Sequence, residues 1–259
     1  MTETALLDVR GCNIHVRRMG RGEPLLLLHG AQGLNWEEPG LDALASRFDV
    51  IAPDHPGFGR SGDSELVDDV RDLALFYRDL LDTLDLDRVH VVGLCIGGWA
   101  ALEMAVPSSA RFKSLVLVNS AGIRVEGVPR GDMFVCSEDD LLKLLFARDG
   151  AAEWLERWHA TPELEDIYDR NRAAAAKLSW SPRLCNPKLD RWLHRIDVPT
   201  HIVWGEENRL IPPAYGQALK HLIAGSTVAT VPGCAHLLHI EEPQVFADQV
   251  CGFIHRVAS

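Results

Sequence analysis

Gly93-Leu94-Cys95-Ile96-Gly97-Gly98 sets a single thiol among glycines. The apolar run Arg88-Val89-His90-Val91-Val92 leads into it, and the helix-like run from Trp99 to Ala105 leads out. The order reads as strand, very sharp turn, helix, with one reactive side chain at the apex. A side chain held there stands clear of the sheet top and can attack a carbonyl carbon. Glycines at 93 and 97 avoid collisions with the flanking strand and helix, and Gly98 lets the helix pack close. The helix N-terminus favours negative charge, so the expectation is a stabilised thiolate and a lowered thiol pKa. Two other readings stay open: a buried structural cysteine on a strand–helix turn, and a replacement for serine introduced to trap a substrate.

The elements that must position Cys95 follow from periodicity. Residues 5–9 and 13–18 read as an antiparallel edge hairpin turning at Gly11. Leu25 to Leu28 is a continuous apolar run bounded by turn signals, the pattern of a strand buried on both faces. It ends in the loop His29-Gly30-Ala31-Gln32-Gly33. A helix is expected over Trp36 to Phe48, a strand over Asp49 to Ala52, and a helix over Val67 to Leu84, whose apolar residues keep a helical period. Leu115 to Val118 is the next buried strand. This alternation predicts a parallel sheet with crossover helices. It breaks from residue 124 to 195, where helical stretches (138–148, 150–159, 163–178) and four of the seven tryptophans lie. It resumes with strands over Thr200 to Trp204 and Ser226 to Val231, and helices over Pro213 to Ile223 and Pro243 to Val257.

Composition narrows the classes. The 259 residues are 47% hydrophobic and carry a net charge of −11. Such a chain repels phosphate backbones, and no basic run offsets this, so nucleic acid is excluded as an expected partner. The longest apolar runs are too short to span a bilayer. The N-terminal residues show no basic stretch followed by an apolar one, so no secretory signal is read. Six cysteines, none in a C-x-x-C pair, fit free thiols in a reducing cytoplasm. Apart from Cys95 they are expected to be small, buried and inert. The segment Gly57-Phe58-Gly59-Arg60-Ser61-Gly62 matches G-x-G-x-x-G, but no helix begins within it, so it does not read as a dinucleotide site. No cofactor or metal is expected, and the composition gives no oligomeric state.

Taken together, five motifs resemble the α/β-hydrolase fold family over nearly the whole chain: His29-Gly30 after a strand, Asp54 through Ser61, Gly93-x-Cys95-x-Gly97-Gly98, Trp204-Gly205-x-x-Asn208, and Cys234-Ala235-His236 followed by Glu241. The resemblance implies an α/β fold with a mostly parallel eight-stranded sheet and helices on both faces. It also implies an all-α cap after strand 6, so residues 1–123 and 196–259 would form the core and 124–195 the cap. His236 falls where the family carries its catalytic histidine, with His239 its nearest rival; His29 and His55 read as structural. The family acid position holds Asn208. A thiol lies near histidine in pKa, so a Cys–His pair can work as thiolate–imidazolium without a carboxylate. Asn208 would then orient His236 through its side-chain carbonyl; Asn119, Glu206 and Glu207 are rival orienters. The oxyanion hole would come from the backbone N–H groups of Ile96 and Ala31, with Gln32 possible for the second.

The expected activity is hydrolysis of an ester, thioester or lactone in a small acyl substrate through a covalent acyl-Cys95 intermediate. Alternatives are an acyltransferase or cyclising thioesterase, a carbon–carbon bond hydrolase of the meta-cleavage type, which the loop from Ala52 to Ser61 resembles, and a non-catalytic ligand-binding protein. Gln32, Trp154, Trp158 and Leu237 are candidate pocket residues. Arg124, Arg130 and Arg183 are read as solvated.

Overall fold

Leu25 and Leu27 face one hydrophobic cluster while Leu26 and Leu28 face another, so the four-leucine run lies at the centre of a sheet covered on both sides. In the computed structural model, residues 2–35, 38–148 and 151–258 are described. The strands are β1 (Thr2–Val9), β2 (Cys12–Gly20), β3 (Pro24–Leu28), β4 (Asp49–Pro53), β5 (Val89–Leu94), β6 (Phe112–Val118), β7 (Thr200–Gly205) and β8 (Thr227–Val231). They form one eight-stranded sheet in the order β1-β2-β4-β3-β5-β6-β7-β8. β2 pairs antiparallel with β1 and β4, and from β4 to β8 every pairing is parallel.

Helices α1 (Pro39–Ala45), α2 (Val70–Thr83) and α3 (Ile96–Ala105) cover the first half. The helix expected over Trp36 to Phe48 is shorter because Pro39 occupies its first turn; Trp36 and Glu37 lie outside the described residues. α2 starts at a capping box, with Asp69 accepting from Asp72 N–H and the Asp72 carboxylate accepting from Asp69 N–H.

Between β6 and β7 the regular elements among the described residues are α4 (Glu138–Leu145), α5 (Ala151–Trp158), α6 (Pro162–Ser179) and a 3₁₀ turn at Leu189–Arg195. Ser137 and Thr161 cap α4 and α6 by accepting from Asp140 N–H and Leu164 N–H. The expected start of the second helix at Gly150 falls outside the described residues. α7 (Ala214–Leu222), the single turn α8 (Leu238–Glu241) and α9 (Pro243–Ala258) complete the chain. Among the described residues no helix is long and apolar enough to cross a membrane.

Candidate active site

Cys95 sits between β5 and α3 with φ 49° and ψ −113°, a strained conformation for a residue with a side chain. The surrounding packing enforces it. A Cβ on Gly93 would lie 2.5 Å from Gly98 Cα, and one on Gly97 would run into the Leu28 carbonyl. The backbone amides of Ala31 and Ile96 lie close enough to the Cys95 sulfur to favour its charged form. The thiol therefore rests against the two N–H groups that sequence reasoning marked for an oxyanion.

The Ala31 amide is held from below. His29 Nδ1 hydrogen-bonds the Gly30 carbonyl at 2.7 Å, and His29 Nε2 accepts from His55 N–H at 2.9 Å. His55 stacks on His29 at 3.5 Å, returns Nε2 to the His29 carbonyl at 2.9 Å, and meets the Tyr77 hydroxyl through Nδ1. Both histidines serve this loop as buried props. The loop is also tied to the helical segment, because Asn171 of α6 donates to Gln32 O and accepts from Gly59 N–H, at 2.9 and 2.8 Å.

His236 lies in the loop after β8. Its N–H and that of Leu237 donate to Leu145 O at the end of α4. Glu241 accepts from Ala235 N–H at 2.7 Å and from Ala147 N–H at 2.8 Å. Asn119 does not touch the imidazole: its Nδ2 donates to the carbonyls of Ala235 and His236, and its Oδ1 accepts from Gly205 N–H. It positions the backbone of the histidine loop and is no rival orienter of the ring.

Asn208 does meet the ring, but with the opposite polarity from that expected. Its Oδ1 accepts from Ile211 N–H at 2.9 Å, which leaves Nδ2 facing His236 Nδ1 at 3.1 Å. A backbone N–H can only donate, so the amide orientation is fixed by Ile211. Nδ1 of His236 must then accept, and the ring proton sits on Nε2. The expected carbonyl contact is corrected.

The expected ion pair is corrected too. Burial pushes the Cys95 thiol up to about 11, outweighing the Ala31 and Ile96 amides. Burial, with His239 nearby, pushes His236 down to about 3. The resting pair is a neutral thiol and a neutral imidazole. Of the other cysteines, Cys12, Cys185, Cys234 and Cys251 are buried, while Cys136 is partly exposed.

Cys95 and His236 line one narrow cleft, whose cavity volume of about 20 Å³ is on the scale of a single water. Ala31, Gln32, Trp154, Trp158 and Leu237 line it as well. Trp154 and Trp158 stack edge to face on α5 at 6.2 Å. Trp180 and Trp192, by contrast, are exposed. Arg130 is tied to the carbonyls of Leu184 and Arg183, and Arg183 pairs with Asp132, away from this cleft. The wall also carries His239, the rival of His236 in the sequence, and Glu38, which had no sequence signal of its own. Glu38 precedes α1, its Oε1 accepts from Asn35 N–H at 2.7 Å, and its Oε2 lies 3.8 Å from His239 Nε2. Among the described residues no group of three or more His, Cys, Asp or Glu is placed to hold a metal ion.

The profile of the alpha/beta hydrolase family matches residues 25–249, which include the elbow, Asn208 and His236. The chain belongs to the alpha/beta hydrolase family. Among its relatives in that family, the 2-hydroxy-6-oxo-6-(2'-aminophenyl)hexa-2,4-dienoic acid hydrolase of Metapseudomonas resinovorans is 29% identical, covering 97% of this chain and 91% of the relative. The 2-hydroxy-6-oxo-6-phenylhexa-2,4-dienoate hydrolase of Burkholderia cepacia is 26% identical over 90% and 88% of the two chains. A solved serine hydrolase involved in carbazole degradation superposes with a TM-score of 0.80 at 23% identity, over 99% of this chain and all of the other. That neighbour is a serine hydrolase, whereas this chain carries cysteine at the elbow.

Proposed function

We propose that this alpha/beta hydrolase cleaves an ester, thioester or lactone through a covalent acyl-Cys95 intermediate. The observation that carries this reading is the Cys95 sulfur held at a strained elbow against the Ala31 and Ile96 amides, in one cleft with His236. Residues 124–195 act as a cap, supplying Trp154 and Trp158 to the wall, over a core of 1–123 and 196–259. The substrate is a small acyl compound, bound without a nucleic-acid or membrane partner, and the setting is cytoplasmic.

The sulfur attacks the carbonyl carbon and turns away from the two amides, which then hold the oxygen anion. The thiol proton passes to His236 Nε2, and the imidazolium returns it to the leaving group. Water, activated by the same nitrogen, releases the acid and frees the thiol. The first proton transfer requires an unprotonated Nε2, so the ring must carry its proton on Nδ1. That nitrogen faces Asn208 Nδ2. Turning the Asn208 amide supplies an acceptor but breaks the Ile211 bond, and a buried donor left unpaired costs about 1–3 kcal/mol. Activation of Cys95 is thus coupled to reorganisation of Asn208.

A second reading is hydrolysis of a carbon–carbon bond in a meta-cleavage product, favoured by the names of the two relatives. A panel of aryl esters, thioesters, lactones and a 2-hydroxy-6-oxo-dienoate, assayed with wild type and Cys95→Ala, separates the two. Acyl-substrate turnover lost in Cys95→Ala supports the proposal. Turnover of the dienoate alone, or acyl turnover unchanged in Cys95→Ala, contradicts it.

A further inference from the structure

Among the described residues, four buried side-chain nitrogen or oxygen atoms have no hydrogen-bond partner: Arg17 Nη2, Gln32 Oε1, Glu38 Oε2 and Trp158 Nε1. The last three belong to residues on the wall of the Cys95 cleft. Such atoms cost stability wherever they occur, and native proteins carry few of them. Three of the four thus belong to residues around one cleft, from separate parts of the chain.

We propose that Glu38, Gln32 and Trp158 form a polar subsite that binds a neutral hydroxyl or carboxamide on the acyl part of the substrate. This rests on the acyl-hydrolase reading above and names its substrate class. The groups come from separate elements: Glu38 from the start of α1, Trp158 from the end of α5, and Gln32 from the oxyanion loop. The Trp158 ring nitrogen only donates, so the bound group must accept. Glu38 is one-sided: Oε1 is fixed by Asn35 N–H, while Oε2 faces His239 Nε2 at 3.8 Å, beyond hydrogen-bond reach, and is left for a ligand that can donate. A hydroxyl or a carboxamide does both. A cation is disfavoured because the buried Arg17 already sets a positive charge close enough to lower the Glu38 carboxyl. Burial nevertheless wins and pushes that carboxyl up to about 7, as expected of a group short of partners.

The test compares esters of 2-, 3- and 4-hydroxybutyrate with the matched butyrate ester, and 5-hydroxy-2-pentanone with 2-pentanone as ligands that cannot be hydrolysed. Turnover gives ratios of kcat/KM, and tryptophan fluorescence titration gives ratios of Kd. Wild type is expected to favour at least one hydroxyl compound by about tenfold or more in both ratios, the scale of one well-made buried hydrogen bond. Glu38→Leu should bring both ratios close to one, and Glu38→Gln, which keeps the Asn35 bond, should retain most of the preference. No hydroxyl preference in wild type overturns the subsite, as does a preference that survives in Glu38→Leu. A preference in the binding ratio without turnover of any ester leaves the subsite standing and removes the acyl-hydrolase reading, so the two failures are distinguishable.

Discussion

At the scale of single residues, the contact between Asn208 and His236 decides how the site works. An amide N–H on Nδ1 places the ring proton on Nε2, the wrong nitrogen for a resting base. Asn208→Asp offers one carboxylate oxygen to Ile211 N–H and the other to a protonated Nδ1. We expect kcat/KM on an aryl ester to rise by about tenfold or more, because the base no longer waits for an amide to turn. The pH profile changes as well. With the thiol raised to about 11 and the imidazole lowered to about 3, wild-type kcat/KM should be flat across the neutral range. The aspartate raises the imidazole pKa and moves the acid limb up toward neutrality. Cys95→Ser alone should be nearly inactive, since a hydroxyl depends more on the base than a thiol does, and adding Asn208→Asp should recover part of the loss. An Asn208→Asp enzyme no faster than wild type, with an unshifted profile, would contradict this. The position of Asn208 was legible from the W-G-x-x-N pattern. Its polarity was not read, although the signal is local: an asparagine oxygen readily accepts a backbone N–H a few residues on.

At the scale of elements, the site is a set of loops held by bonds from the helical segment. Asn171 of α6 bridges Gln32 O and Gly59 N–H, and its side chain is buried. Asn171→Ala leaves both backbone groups unpaired. It should lower the unfolding free energy by about 2–4 kcal/mol and reduce kcat more than it raises KM, because the Ala31 amide is on the released loop. Urea unfolding and steady-state kinetics check this, and a change below about 0.5 kcal/mol would show that the bridge carries no weight. The sheet was readable because each buried strand is a short run that permits no other packing, as Leu25 to Leu28 illustrates. The elbow was readable because Gly93 and Gly97 have no room for a Cβ. Glu38 was not readable. A lone glutamate before Pro39 and Gly40 carries no motif, and its burial depends on His239 and α5, which are distant in sequence.

At the scale of the whole molecule, buried histidines set the response to acid. Burial lowers His29, His55, His90, His201, His236 and His239 below their ordinary value of 6.5. The folded state thus binds fewer protons than the unfolded chain once pH falls below about 6.5. Their contribution to stability is present above that pH and is lost progressively as pH drops toward the folded values. Glu38 acts in the opposite sense: raised from 4.5 to about 7, it costs stability as pH rises through that interval. One carboxyl is outnumbered by six imidazoles, so the urea midpoint should fall steadily from pH 7 to pH 5, and Glu38→Gln should steepen that fall by removing the counter-trend. A midpoint that holds constant over the range would contradict the buried neutral histidines. All of this surrounds one claim, that Cys95 takes the acyl group. The most direct measurement is intact-protein mass spectrometry of the enzyme quenched in acid during turnover of an aryl ester, followed by peptide mapping. An added acyl mass is expected on the peptide that contains Cys95, absent in Cys95→Ala; turnover with no adduct at Cys95, or the same adduct in Cys95→Ala, would overturn the acyl-Cys95 intermediate.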